Sequence, residues 1–334
     1  MIVDMHTHFF PETWPDLAER FGTPDWPWMK HLGDGKAMVM VGQKEFRPIY
    51  AACWDMDVRL AEMDRDGVDR QLMCSTPVLF GYTRPVAHAL ECARIFNDAA
   101  LEMCAKPTGK NAGRIKALAQ VPLQDTDAAC RELERAMASG HVGVQIGNHV
   151  GDRDLDDAQL VTFLAHCAAI GAPVLVHPWD MLGGVRTAKH MMGWTVSMPA
   201  ETQLSIVAMI LGGAFDKLPR SLKICFAHGG GSFALTLGRL ENAWHNRDIA
   251  RGVSEHPPSH YCDRFSVDTA VFDDRALRLL TEVIGEDRVM NGSDYPFPLG
   301  ELSIGKLVRG SRFHTDEQKQ KMLGGNAAAF FGLG

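Results

Sequence analysis

The first nine residues, Met1–Phe9, read MIVDMHTHF and combine an apolar run with two histidines placed two positions apart. Side chains alternate across a β-strand, so His6 and His8 should point to the same side of one strand. A single buried histidine needs only a hydrogen-bond partner, whereas two on one face beside a carboxylate suggest a shared metal ion. The alternative is a pair of core histidines bonded to backbone groups.

The rest of the chain alternates short apolar runs with longer amphipathic segments. The short runs are rich in Val, Ile and Leu, as expected for strands buried on both faces. These predicted strands are Ile2–Phe9, Val68–Ser75, Ile115–Val121, Val142–Ile146, Pro173–His177, Leu222–His228, Arg264–Thr269 and Val289–Asp294.

The segments between the strands have apolar residues three and four positions apart, which indicates helices. The predicted helices are Asp55–Asp66, Pro85–Ala105, Asp125–Ser139, Asp156–Ile170, Glu201–Phe215, Ser232–His245, Asp273–Ile284 and Thr315–Phe331. Asp125, Asp156 and Ser232 are expected to cap their helices. Strands that are each followed by a helix predict an α/β protein with a (β/α)8 TIM barrel, and a doubly wound open sheet is the alternative.

Three connections are too long for simple turns. Pro11–Trp54 is rich in Trp, Pro and Gly, Trp179–Ala200 carries adjacent glycines and several Met, and Asn246–Asp263 contains a Pro pair. Long loops on a barrel commonly build the mouth of the active site or an oligomer contact. We therefore expect one domain over residues 1–334, with insertions at about 11–54, 179–200 and 246–263 on its C-terminal face.

The composition excludes several classes of function. The net charge is -7 and no run of five basic residues occurs, so a nucleic-acid partner is not expected. The longest apolar stretch, around Ile206 to Phe215, is too short to span a bilayer, and the N-terminus lacks the pattern of a signal peptide. The scattered cysteines form no CxxC, which favours a reduced, cytoplasmic protein with structural thiols and no membrane partner.

Several predicted strands end on a polar residue at the same side of the barrel. VLVHPWD places His177 at the end of the fifth strand, ICFAHGGGS places His228 after the sixth, and VMNGSDYPFP places Asp294 after the eighth. TIM-barrel active sites lie at this face. Three imidazoles and one carboxylate suit one zinc ion per chain. The expected ligands are His6, His8, His177 and Asp294, with His228 as a fifth ligand or a base beside the metal.

The fourth strand bears on the number of metal ions. A two-metal hydrolase of this architecture needs a bridging Lys or Glu from the middle of the barrel, but the strand reads VGVQIGN and offers Gln145. We therefore expect a mononuclear site and assign His228 to acid–base catalysis, because imidazole and zinc-bound water both titrate near neutral pH. The glycines after His228 could bind a phosphate or an oxyanion, or could give clearance around a crowded metal.

Three further residues could contact a substrate, whereas a fourth arginine is expected to face away from its own barrel. Arg47, in EFRPIY on the first insertion, could hold a carboxylate in a bidentate fork, or form a surface salt bridge. Trp194 and Phe297 could flank a planar ligand, or serve only as lid packing. Arg239, on the helix after the sixth strand, should face outward from its own barrel as a solvated or interface arginine.

Together these residues resemble a known family. The chain is similar to the bacterial 2-amino-3-carboxymuconate 6-semialdehyde decarboxylases of the metal-dependent amidohydrolase superfamily, from its first strand to the final GNAAAFFGL. The HxH motif alone indicates only the superfamily, whereas the longer motifs together indicate a much narrower group of proteins. The motifs are DMHTHFFP, FRPIY, QIGNH, LVHPWDM, MPAETQL, CFAHGGGSFA and VMNGSDYPFPLGE. The segments Thr13–Ala37 and Ala250–Pro257 match less well.

The resemblance implies zinc-dependent, non-oxidative decarboxylation of 2-amino-3-carboxymuconate 6-semialdehyde to 2-aminomuconate 6-semialdehyde, a step in tryptophan (kynurenine), 3-hydroxyanthranilate or 2-nitrobenzoate catabolism. It implies one zinc held by His6, His8, His177 and Asp294, with His228 as the acid/base. It also implies that Arg47 binds a substrate carboxylate, and that Arg239 reaches the neighbouring subunit's site in a homodimer. No redox cofactor or pyridoxal is implied.

Two other activities would use the same metal ligands and acid/base. One is a related decarboxylase of a hydroxybenzoate-type aromatic acid. The other is a mononuclear-metal hydrolase of the same superfamily that cleaves an amide, lactone or ester. A non-catalytic barrel used for binding or assembly would not need the ligand set. No GxSxG elbow or lone cysteine beside a base supports covalent catalysis.

Overall fold

The computed structural model describes residues 1–334 and contains eight parallel strands in barrel order. The prediction of an α/β TIM barrel is confirmed. Most strands are shorter than the apolar runs that predict them: the first, second, fourth and fifth begin later than predicted, and the third and eighth end earlier. The barrel strands are Val3–Phe9, Arg70–Ser75, Ile115–Ala117, Val144–Gly147, Val174–His177, Ile224–Phe226, Ser266–Asp268 and Val289–Met290.

The strands form two parallel sheets, of the first three and the last five strands. Ala119 bridges to Val144 at one junction, and Thr7 bridges to Tyr295 at the other. The amide of His8 also donates to the carbonyl of Tyr295 at 2.7 Å. The first strand therefore has neighbours on both sides, which excludes the doubly wound open sheet.

The helices follow the strands in the alternation that the sequence predicts. Seven major helices cover the barrel, followed by three short C-terminal ones: Met56–Asp66, Val86–Ala105, Thr126–Ser139, Ala158–Ile170, Met198–Leu211, Phe233–Asn246, Asp274–Ile284, Lys306–Gly310, Asp316–Gln320 and Asn326–Phe331. The expected helix Glu201–Phe215 instead starts earlier and breaks at Gly212 and Gly213 before a separate turn, Ala214–Lys217.

The expected helix caps are partly confirmed. Asp125 accepts the amide of Ala128 at 2.8 Å, as predicted. The prediction of Asp156 is wrong by one residue, because Asp157 is the N-cap and accepts the amide of Gln159. Ser232 occupies an N-cap position, but its side chain makes no capping hydrogen bond.

The first insertion is more ordered than a long loop. It contains a short helix, Leu17–Phe21, and an antiparallel meander of the strands Pro27–Gly33, Lys36–Val41 and Lys44–Tyr50. These strands were not predicted because their alternation is interrupted by Trp, Pro and Gly. The second insertion holds helical turns at Gly184–Thr187 and Gly193–Ser197, and the third holds turns at Asp248–Arg251 and Pro258–Tyr261.

An apolar cluster fills the barrel with residues from many strands, among them Val3, Met5, Leu72, Leu118 and Leu175. Phe331 and Leu333 from the C-terminus belong to the same cluster. All eight cysteines are free and most are buried, as expected for structural thiols. No helix has the length and hydropathy needed to cross a membrane.

Candidate active site and metal centre

His6 and His8 lie on the same side of the first strand, as predicted. Their Nε2 atoms are 3.2 Å apart, and both residues are buried. The register against the second strand shifts between Asp4 and Thr7, so one extra residue is accommodated there. Such bulges re-aim side chains next to active sites. Here the shift spans Met5 and His6, so it includes the first of the two imidazoles that converge.

The structure brings all five expected strand-end residues together. Nε2 of His8 lies 3.0 Å from Oδ1 of Asp294, and Nε2 of His6 lies 3.7 Å from the same oxygen. The His177 ring is centred 5.0 Å from the rings of both His6 and His8. One ligand atom each from His6, His177, His228 and Asp294 lies within 4.8 Å of the others. The cluster therefore contains more than the four donors that a tetrahedral ion needs.

The donor set fits a divalent ion. His177 directs Nδ1 to the carbonyl of Pro178 at 2.8 Å and leaves Nε2 buried without a hydrogen-bond partner. His6 likewise directs Nδ1 away from the cluster and Nε2 into it. Unpartnered buried imidazole nitrogens around a carboxylate are unfavourable unless a cation occupies the space between them. Nitrogen and oxygen donors in this number suit zinc and its neighbours among the transition metals.

Burial and charge set the protonation states of these ligands. Burial lowers the pKa of His8 to about 4, and burial together with the other histidines lowers that of His177 well below the ordinary value. Burial opposes ionisation of Asp294, but the neighbouring imidazoles of His228 and His8 hold its pKa well below the usual range. Neutral His8 and His177 and an ionised Asp294 are the forms that bind metals.

His228 occupies a strained position. Its backbone has φ 55° and ψ 45°, and it lies immediately after the sixth strand, with its side chain buried. Neither ring nitrogen has a hydrogen-bond partner, and Nε2 lies 3.9 Å from Oδ2 of Asp294. Left-handed backbone at a residue other than glycine is uncommon and clusters at functional sites. The turn therefore aims a free imidazole at the metal cluster.

The glycines after His228 provide clearance. A Cβ atom on Gly231 would lie 2.0 Å from the carbonyl oxygen of Pro199, so only glycine fits there. The amide of Gly229 donates to Asp268, and that of Gly231 donates to the carbonyl of His228. Because these amides are already committed, the structure favours backbone clearance over a phosphate or oxyanion site.

Gln145 lies in the fourth strand as expected. Its amide nitrogen donates to the carbonyl of Ser75 at 2.8 Å, and its buried Oε1 has no partner. A neutral amide supplies no bridging charge for a second cation. The residue therefore fits a site for one ion.

A cavity of about 880 Å³ opens beside the cluster, and His8, His177 and Asp294 form part of its wall. Arg47, Trp194 and Phe297 also line it, which places these three predicted residues at the mouth. The Arg47 guanidinium stands 4.1 Å over the Phe297 ring, which itself stacks on His8 at 5.2 Å. The guanidinium of Arg47 makes no hydrogen bond or ion pair within the chain, so its donors are free for an anion.

Arg239 is exposed on the helix Phe233–Asn246 and does not line the cavity of its own chain. It has no ion-pair partner within the chain. This placement agrees with an arginine that faces outward from its own barrel.

Behind the first strand, the fully buried Arg59 supports the site. Its guanidinium donates to the carbonyls of Ala52 and His8 and to the side chains of Thr7 and Gln71. The same group stands 4.9 Å over the ring of Tyr295, which follows Asp294. Arg59 was not predicted as a site residue, because a basic residue in an amphipathic helix is normally exposed.

Asp268, at the end of the seventh strand, was also not predicted as a site residue. This carboxylate is completely buried, and its Oδ2 lies 2.7 Å from Nδ1 of His6. The signal was present, because FSVDT is another apolar run that ends on a polar residue. The same criterion that identified His177 and His228 would have found it.

Comparison with known proteins places the chain in a family. The amidohydrolase family model (Amidohydro_2) matches residues 3–333. The chain belongs to the amidohydrolase family. It is 42% identical over 333 residues to the 2-amino-3-carboxymuconate-6-semialdehyde decarboxylase of Dictyostelium discoideum, covering 99% of this chain and 91% of that protein. This similarity confirms the resemblance that the sequence motifs indicate.

Two further relatives are consistent with this family and with the barrel fold. The protein of the same name from Caenorhabditis elegans is 29% identical over 376 residues, covering 97% of this chain and 92% of the relative. The crystal structure of 5-carboxyvanillate decarboxylase from Sphingomonas paucimobilis superposes with a TM-score of 0.81 at 25% identity, covering 100% of this chain and 99% of that one. The fold and the family are thus established together.

Proposed function

We propose that this chain is a metal-dependent carboxy-lyase that converts 2-amino-3-carboxymuconate 6-semialdehyde to 2-aminomuconate 6-semialdehyde without oxidation. One observation carries the proposal: a complete histidine–aspartate cluster lies beside a free arginine in a chain 42% identical to a decarboxylase of that name. The reaction places the protein in tryptophan (kynurenine), 3-hydroxyanthranilate or 2-nitrobenzoate catabolism. We further propose one domain over residues 1–334 and a cytoplasmic location.

One zinc ion per chain is part of this proposal. His6, His8, His177 and Asp294 would hold it, since their donor atoms converge and the buried Nε2 of His177 has no hydrogen-bond partner. When bound, the ion supplies Lewis acidity and lowers the pKa of a water molecule. The neutral amide of Gln145 supports a single ion.

His228 is proposed as the acid/base. Its ring nitrogens have no partner in the chain, so either can hold a proton and pass it to or from a group beside the cluster. In decarboxylation the carbon that loses carbon dioxide must gain a proton, and His228 is proposed to supply it beside the metal cluster. The left-handed turn keeps the imidazole within reach of Asp294 while its backbone stays in the barrel wall.

Arg47 is proposed to fix the substrate carboxylate. A guanidinium with no internal partner, stacked on Phe297, can present two parallel N–H groups to a planar carboxylate. Phe297 and Trp194 would flank the conjugated chain of a planar substrate. The substrate therefore lies between a cationic clamp and the metal cluster.

We also propose that the protein forms a homodimer. Arg239 is exposed and unpaired on the outside of its own barrel, and a substrate with two carboxylates needs a second cation. We propose that Arg239 enters the site of the neighbouring subunit. The exposed Leu235, one helical turn before it, belongs to the same face.

The first test measures carbon dioxide release from the unstable semialdehyde, made in situ from 3-hydroxyanthranilate by its dioxygenase. Zinc-loaded protein should release carbon dioxide faster than the spontaneous background, and His228→Ala should abolish the excess. No release by protein with measured bound zinc would overturn the substrate assignment.

An aromatic-acid decarboxylase is the second candidate. The superposed 5-carboxyvanillate decarboxylase and the aromatic wall of Trp194 and Phe297 favour it. Release of carbon dioxide from hydroxybenzoate-type acids, but not from the semialdehyde, would decide for this activity. No observation favours the hydrolase alternative.

A further inference from the structure

Asp268 accepts three hydrogen bonds on one buried carboxylate. Oδ2 faces Nδ1 of His6 at 2.7 Å, while Oδ1 accepts the amides of Gly229 at 2.9 Å and Ala270 at 3.0 Å. The residue is fully buried and lies outside the set of expected metal ligands. It is therefore connected both to a ligand and to the residue that follows His228.

The first connection fixes the tautomer of His6. An ionised carboxylate has only acceptors, so the proton of a neutral His6 must lie on Nδ1. Nε2 then carries the free lone pair, and it is the atom that faces His8 and Asp294. Metal-binding histidines commonly hold their second nitrogen on a carboxylate in this way, which fixes both the tautomer and the ring orientation.

The second connection fixes the turn at His228. His228 and Gly229 adopt consecutive left-handed conformations, with φ values of 55° and 62°. The His228 side chain has no hydrogen bond of its own, so its position depends on this backbone. The bond from the Gly229 amide to Asp268 holds the turn directly after the imidazole.

We propose that Asp268 is a positioning residue that places the ligand His6 and the acid/base His228 through the two oxygens of one carboxylate. This inference deepens the proposed function and rests on it for the role of His228. Its link to His6 concerns metal binding and can be measured without any substrate.

Two substitutions distinguish the effect of the bond to His6 from the effect of the bond to the Gly229 amide. Asp268→Asn keeps an oxygen for the amides of Gly229 and Ala270, but it presents N–H groups to His6 and so favours the wrong tautomer. We expect its metal affinity to fall by about 10- to 100-fold, with kcat at saturating zinc within a few-fold of the wild type. Asp268→Ala removes both links, so kcat at saturating zinc should fall further.

Zinc affinity is measured by competition with a chelator, and circular dichroism verifies folding. The matched control is Glu132→Gln, which alters another fully buried carboxylate that bonds Asn97 in the helical layer. The control should keep wild-type zinc affinity. If Asp268→Ala does not fold, Asp268→Ser replaces it as the variant that shortens the side chain.

Unchanged zinc affinity in Asp268→Asn, or an equal loss in Glu132→Gln, would overturn the link to His6. Equal kcat at saturating zinc in the Asn and Ala variants would overturn the link to His228. Failure of the proposed function has a different signature, because folded wild-type protein would then bind zinc tightly and release no carbon dioxide. In that case the link to His6 can still be measured.

Discussion

Replacing Arg47 with methionine should weaken substrate capture without affecting the metal. The guanidinium forms no hydrogen bond within the chain and lies over Phe297 at the cavity wall. Arg47→Met therefore leaves no buried acceptor unsatisfied, and methionine retains the packing against the aromatic ring. The fold and the zinc content should stay at wild-type values.

The size of the loss follows from the contacts that are removed. Each hydrogen bond between charged partners contributes about 1.5–3 kcal/mol, so a two-bond fork contributes roughly 3–6 kcal/mol. Arg47 is partly open to solvent, which favours the lower end of that range. A loss of about 3 kcal/mol corresponds to roughly a 150-fold decrease in kcat/KM. Arg47→Lys keeps the charge but loses the fork, so its decrease should be about tenfold.

The assay follows steady-state carbon dioxide release together with the zinc content of each variant. The decrease should be constant between pH 6 and 9, because a guanidinium stays protonated there even though burial lowers the pKa of Arg47. Arg186→Met is the matched control, since Arg186 is an exposed arginine of the second insertion that does not line the cavity. A kcat/KM within twofold of wild type for Arg47→Met would refute the carboxylate role.

Four further predictions test other parts of the site. His228→Ala should keep zinc and lose activity; lost zinc would make His228 a ligand. Metal analysis should approach one ion per chain, with activity lost on chelation and restored by zinc, and two ions would refute the argument from Gln145. A mixture of Arg47→Ala and Arg239→Ala subunits should recover about a quarter of the wild-type activity, because half of the dimers are hybrids and each hybrid has one intact site out of two. No recovery in verified hybrids would refute a shared site. Arg59→Met should lower the free energy of unfolding by about 2–5 kcal/mol, measured by urea denaturation, because it leaves buried carbonyls without donors, and a loss below 1 kcal/mol would contradict this.

The barrel could be predicted because its strands are buried on both faces and its helices on one, so the two periodicities are strong. The metal cluster could be predicted for a related reason. Parallel strands end at one face, so His177 and Asp294, although far apart in sequence, were expected to meet His6 and His8.

The features that were not predicted from the sequence depend on contacts between distant segments of the chain. The meander in the first insertion is held by pairing among irregular strands, so its local pattern is weak. The full burial of Arg59 depends on carbonyls supplied by other elements, such as that of His8. The helix that begins at Met198 continues directly from the turn Gly193–Ser197 without a side-chain cap, so its N-terminus is hard to place from sequence.

The metal ligands and the carboxylate-binding Arg47 are held by different parts of the structure, and this difference agrees with their different chemical roles. The metal ligands project from barrel strands and are held from behind by buried groups such as Asp268 and Arg59. Arg47 instead projects from the meander strand Lys44–Tyr50, and the meander packs on the barrel through a separate apolar cluster that joins Ile49 to Phe10 and Phe96. A metal site needs donors fixed to within fractions of an ångström, whereas a carboxylate clamp must admit and release its ligand. Substitutions that loosen the meander should therefore change KM before they change metal affinity, and substitutions behind the barrel strands should act in the opposite order.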